Sequence, residues 1–118
     1  MKLPISYALY YPHRRYLGGP RLDFAALSRI TFEDPDMETF AGLRYALEAA
    51  RTGGSMPTVF NAANERAVAR FLARKISFTQ IYDIIRDCMD HHTVIPDPDI
   101  RQILDVEQAV YERIEGRW

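Results

Sequence analysis

The sequence is poor in several things, and each shortage narrows what the chain can be. It has a single cysteine, Cys88. No internal disulfide can form, so its cysteine usage gives no argument for an oxidising compartment. No apolar run is long enough to span a bilayer. The opening MKLPISYALYYPHRR lacks the uninterrupted apolar centre and small-residue cleavage site of a secretion signal. The expected compartment is the cytoplasm. There is no dinucleotide fingerprint and no phosphate loop, because Gly18-Gly19 runs into Pro20 rather than into a strand–turn–helix pattern. Repeats and low-complexity segments are absent. The net charge is only −1, without the strong basic excess of a nucleic-acid-binding domain. Neither nucleic acid nor membrane is an expected partner.

What remains is an ordinary globular composition. The chain has 118 residues, 47% hydrophobic and 26% charged, enough for one domain with a modest core. The charge is unevenly spread. Residues 1–30 hold five basic residues against Asp23, a net of +4; the rest holds ten basic and fifteen acidic residues, a net of −5.

The stretch from Pro57 to Lys75, PTVFNAANERAVARFLARK, reads as one amphipathic helix. Pro57 suits a first turn, where its missing N–H costs nothing. Phe60, Ala63, Ala67, Val68, Phe71 and Leu72 recur at three- and four-residue spacing and are expected on one buried face. Asn61 and Asn64 are poor interior helix formers. They are expected to hydrogen-bond to adjoining segments.

Three more helices are expected around it. The first spans about Thr39 to Thr52, with Phe40, Leu43, Leu47 and Ala50 as its apolar stripe and Gly53-Gly54 as its stop. The next begins at a capping box formed by Ser77 and Gln80 and buries Phe78, Ile81, Tyr82, Ile85, Cys88 and Met89. After Pro96, Asp97 caps a short turn through Leu104, and a last helix runs from about Val106 to Glu115. Residues 1–35 read as an arm. Its opening allows a short helix before Pro12, with Ile5, Ala8 and Leu9 on one side, but alternation of Leu3, Ile5, Tyr7 and Leu9 also allows a strand. Leu22 to Leu27 allows one helical turn, and Arg29 to Phe32 reads as a short extended piece. The fold class is mainly α, a small four-helix bundle over residues 36–118 preceded by an irregular or extended N-terminal arm.

Three groups of side chains invite a chemical reading. Cys88 with His91 or His92 has one-turn helical spacing, but a zinc site typically needs about four ligands. A buried cysteine beside a solvated helix end is the expectation, with no metal. Tyr7, Tyr10, Tyr11, Arg14, Arg15 and Tyr16 mix rings and cations, which suits an interface with another domain. Glu33, Asp34, Asp36 and Glu38 lack the ordered spacing of a calcium loop and read as a solvated turn.

The run Met56-Pro57-Thr58-Val59-Phe60-Asn61-Ala62-Ala63-Asn64-Glu65, continued by Ala67-Val68-Ala69, Phe71-Leu72 and Lys75-Ile76-Ser77-Phe78, resembles the C-terminal region of 1-deoxy-D-xylulose 5-phosphate reductoisomerases. Leu22-Asp23, Thr31-Phe32-Glu33 and Pro35-Asp36 match the family's connecting region; Ala41 stands where the family usually has proline. The resemblance covers nearly the whole chain, weakening after Val94. It implies a four-helix domain that ends an enzyme of isoprenoid synthesis, one that uses NADPH and a divalent metal, Mg or Mn. The family's nucleotide domain and metal-binding carboxylates come earlier in its sequence and have no matching positions here. Met1 alone falls where the family has a methionine close to substrate and nicotinamide, and no catalytic, cofactor-binding or metal-binding residue is named. The chain is therefore expected to support a catalytic domain, which would be its partner, and to be inactive alone. The rival expectation is a stand-alone helical protein-interaction module. A homodimer through residues 1–35 is also expected, since the arm's apolar residues need cover.

Overall fold

The computed structural model describes all of residues 1–118. It contains six helices and no strand, in two compact units, Met1–Asp34 and Pro35–Trp118.

In the first unit, α1 (Lys2–Tyr10) ends just ahead of Pro12, where the approach to a proline disfavours helical backbone. The helix rather than the strand is formed, and the unit offers no second strand to pair with. The single turn α2 (Phe24–Leu27) is capped by Asp23, whose carboxylate accepts from the N–H groups of Ala25 and Ala26 at 2.9 and 3.1 Å. Ser28 then takes a left-handed φ of 51° and stops it. Arg29 to Phe32, expected as an extended piece, joins no sheet because the chain has none.

The second unit is a four-helix bundle of α3 (Ala41–Thr52), α4 (Met56–Leu72), α5 (Gln80–Asp90) and α6 (Ile100–Arg117). The central helix α4 packs against each of the others. Its buried residues are Met56, Val59, Ala62, Ala63 and Ala67, and the run of alanines lets its neighbours approach closely. Phe60, Val68 and Phe71 are half-buried at the edge of this face. Leu72, expected inside, is 73% exposed. It lies nine residues past Ala63, which at 3.6 residues per turn is about 180° around the helix. Asn61 is exposed. Bonds between segments come instead from Ser55 with His92, Glu48 with Arg86, and Asp87 with Arg113.

The other helices correct the sequence reading in instructive ways. On α3, Ala41 and Ala49 are buried and Tyr45 is half-buried, whereas Phe40, Leu43, Leu47 and Ala50 are exposed. The small residues face inward because the approach to α5 is close. A Cβ added at Gly42 would lie 3.2 Å from the Tyr82 ring. The chain enters α3 through a turn in which Asp36 accepts from Glu38 and Thr39, so the helix begins two residues later than expected. At α5 only half of the capping box forms. The Gln80 side chain accepts from the Ser77 N–H at 2.7 Å, but the Ser77 hydroxyl turns to Thr79. Phe78 is exposed and stacks edge-on against Phe71 and Tyr82. Ile84, absent from the expected face, is fully buried. The expected turn and last helix are one continuous α6. Asp99 rather than Asp97 caps it, in a full capping box with Gln102. No glycine or proline lies between Ile100 and Glu115 to break it.

Candidate functional site

Within the bundle, the groups with chemical potential are drawn into structural bonds. The Cys88 thiol is buried against α6, and desolvation, with the Asp87 charge next, pushes its pKa up to about 11. It is a protonated thiol at neutral pH and so a weak nucleophile. Asp87 accepts two bonds from Arg113, at 2.7 and 3.0 Å, and lies 3.4 Å from Arg117. The Arg113 bonds, acting against partial burial, hold its carboxyl below the ordinary carboxylate value. His91 donates through Nδ1 to the Asp87 carbonyl at 2.8 Å. Cys88, His91 and His92 border one small hollow but do not gather as a metal-binding set.

His92 instead meets Ser55, a contact that the sequence reading missed. Ser55 is 0% exposed. Its Oγ lies 2.6 Å from His92 Nε2 and accepts from the Ile95 N–H at 2.9 Å, while its own N–H donates to the Ile95 carbonyl at 2.9 Å. Donation of the hydroxyl's one proton to Nε2 satisfies both groups, and this assignment corresponds to neutral His92 with its proton on Nδ1. Burial lowers the pKa of His92 in the same direction. A serine beside an imidazole suggests nucleophilic catalysis. Here the hydroxyl is sealed from solvent, and the contact serves as a clasp between the α3–α4 turn and the α5–α6 loop. The signal available in the sequence was Gly53-Gly54-Ser55, a tight turn followed by a small polar residue. Gly54 has φ of 54°, and a Cβ there would sit 2.3 Å from the Ile95 carbonyl oxygen.

The acidic group resolves into a turn. Asp36 is lowered in pKa chiefly by its side-chain bond from Thr39, and Glu33, Asp34 and Glu38 are exposed. No set of three or more histidine, cysteine or carboxylate side chains gathers anywhere as a metal would need.

The arm differs from the bundle. Arg14 stacks over the Tyr7 ring at 4.4 Å and Arg15 over Tyr10 at 5.0 Å, while Tyr7 and Tyr11 meet edge to face. Arg14, Arg15 and Arg21 line a cleft of about 450 Å³ with Leu3, Tyr16, Leu17 and Leu22. A second hollow of about 380 Å³ is lined by Ile5, Leu9, Tyr10 and Leu17, with the 92% exposed Met1 at its edge. Leu9, Phe24, Ile30 and Phe32 are exposed as well. The arm thus presents apolar and cationic surface.

The sequence profile of the DXP reductoisomerase C-terminal domain matches residues 1–113. The chain belongs to this family. It is 54% identical over 118 residues to the 1-deoxy-D-xylulose 5-phosphate reductoisomerase of Agathobacter rectalis and 57% identical over the same length to that of Lachnospira eligens. Both alignments take in 100% of the chain and 31% of the relative, so the chain spans under a third of the reductoisomerases that it matches. Among solved structures, the Zymomonas mobilis reductoisomerase in complex with NADPH superposes with a TM-score of 0.82 at 35% identity, over 98% of this chain and 30% of that one. A reductoisomerase in complex with NADPH, fosmidomycin and magnesium matches at 0.82 and 34% identity, over 98% and 30%. Neither NADPH nor magnesium fits the residues present here. There is no strand–glycine loop–helix element for a dinucleotide and no gathered carboxylate set for a hard cation.

Proposed function

We propose that these residues act as the C-terminal structural domain of a 1-deoxy-D-xylulose 5-phosphate reductoisomerase, buttressing its catalytic domain and performing no turnover by themselves. The complete enzyme would use NADPH and a divalent metal held by other residues. The observation that carries this reading is an arm that leaves Leu9, Phe24, Ile30 and Phe32 exposed, together with a bundle in which no metal-binding set of side chains gathers. A catalytic domain seated on these side chains would remove their apolar surface from water, which stabilises the contact. A supporting domain stabilises the walls of a site without entering its chemistry.

The test is complementation. The part of the Lachnospira eligens reductoisomerase that precedes the matched segment is co-expressed with this chain, and NADPH oxidation with the sugar phosphate is followed. Activity should appear in the complex and be absent from the pure chain. Turnover by the pure chain, or failure of the two to associate, would overturn the reading. A second reading, a stand-alone interaction module, draws on the exposed stripe Phe40, Leu43 and Leu47 of α3; a stable complex with an unrelated protein through that stripe would favour it.

A further inference from the structure

We infer that the arm's partner surface carries carboxylates, received by the cleft of Arg14, Arg15 and Arg21. The inference rests on the domain reading above and specifies the chemistry of the contact. Three guanidinium groups share one cleft whose other lining residues are Leu3, Tyr16, Leu17, Gly19, Pro20 and Leu22. No carboxylate lines it. None of the arm's basic residues, Lys2, Arg14, Arg15, Arg21 and Arg29, forms an ion pair. Four of the bundle's ten basic residues, Arg66, Arg86, Arg113 and Arg117, have an acidic partner; what sets the arm apart is that three of its unpaired guanidinium groups share one cleft. Asp23, the one acid among residues 1–30, is occupied in capping α2. Like charges gathered in one cleft repel, and a counter-charge from outside removes that cost.

The stacking decides which anion suits. With its face on Tyr7 or Tyr10, a guanidinium is held in place and leaves its N–H edge to pair with a two-oxygen acceptor. That geometry suits a carboxylate or a phosphate, each gripped through two oxygens. The apolar surroundings decide that the carboxylates belong to a protein. Leu3 and Leu22 line the same cleft and are largely exposed, as are Ile30 and Phe32. A small anion would leave them wet. A second copy of the arm is the wrong occupant, because a two-fold contact sets the same patch against itself, three guanidinium groups facing three.

The experiment measures binding of this chain to the co-expressed preceding part of the Lachnospira eligens reductoisomerase, across a range of salt. Binding of the unaltered chain should weaken as salt rises. The triple variant Arg14→Gln, Arg15→Gln, Arg21→Gln should bind about tenfold or more weakly, with a flatter salt dependence. The corresponding triple lysine variant, which keeps the charge but loses the fork, should fall between them. If the glutamine variant binds as the unaltered chain does, this inference fails while the domain reading stands. If the unaltered chain does not bind, the domain reading fails and takes the inference with it. Tighter binding to a single-stranded oligonucleotide than to the polypeptide, or self-association that tightens with salt, would also overturn it.

Discussion

The Ser55 clasp makes the sharpest prediction about the bundle. Ser55→Ala removes one hydroxyl and leaves two groups without partners, the Ile95 N–H and His92 Nε2. A buried polar group left unpaired costs about 1–3 kcal/mol. Ile95 and His92 are each half-buried, so water can reach part of the gap, and the expected loss is about 2 kcal/mol in all. For a domain of this size, thermal unfolding should then fall by roughly 4–8 °C per kcal/mol. The pH dependence has a definite sign. The clasp uses neutral His92, whose folded pKa lies below its ordinary 6.5 because of desolvation. Its contribution is complete above pH 6.5 and is lost as pH falls from there through the lower folded value. The charged or titratable neighbours at this end of the bundle are Cys88 and His91 on α5 and Arg113 on α6, and Arg113 is held by Asp87. His92→Gln should flatten the stability profile just below pH 6.5. Calorimetry on the unaltered chain and these variants reads both effects. An unchanged melting temperature for Ser55→Ala, or an unchanged acid slope for His92→Gln, would refute the reasoning.

Ile84→Ala should cost about 2–5 kcal/mol, as for a fully buried aliphatic residue. Phe71→Ala, at a half-buried site, should cost roughly half the 3–5 kcal/mol of a buried aromatic; urea midpoints rank the two. Gly54→Ala should lose about 2 kcal/mol or more, because the new Cβ meets the Ile95 carbonyl and the backbone is left-handed. A variant as stable as the parent would show that the turn can shift. Asp87→Asn should destabilise by about 1.5–3 kcal/mol, the usual range for hydrogen bonds to a charged group. The Asp87 pKa is depressed below 3.8, so its contribution is present above that pH and lost as pH falls through the folded value. Loss from the Asp87 bonds should therefore begin at lower pH than loss from the His92 clasp, which begins at 6.5.

How far the sequence disclosed this molecule depended on which signal was asked. Helix existence rested on long three- and four-residue periodicity, bounded by Pro57, Gly53-Gly54 and the Ser77–Gln80 pair ahead of α5, and that signal is strong. Which residues point inward was harder. On α4 the error was one of phase: choosing Phe60 over Val59 as the anchor turned the expected face and carried Leu72 inside. The chemistry was legible only as absence. Nothing in the local pattern around Ser55 or His92 tells of the other, since they lie 37 residues apart and meet only when α4 and α5 pack.

The reversal on α3 has a physical cause that bears on function. A sequence pattern assigns the bulkiest apolar stripe to the interior because burying Phe40, Leu43 and Leu47 gains the most from leaving water. Within the bundle, that gain is forgone. Ala41, Gly42, Ala46 and Ala49 take the inner face instead, and their small size lets α3 close to within contact of Tyr82. A helix with a small-residue face inside and a large-residue face outside has two surfaces to satisfy, and only one of them belongs to its own core. The arm repeats the situation with Leu9, Phe24, Ile30 and Phe32. The face of α3 turned to the core is made of small residues, while its leucine and phenylalanine stand outside, and it is surface of this kind that the proposed contact with a catalytic domain would cover.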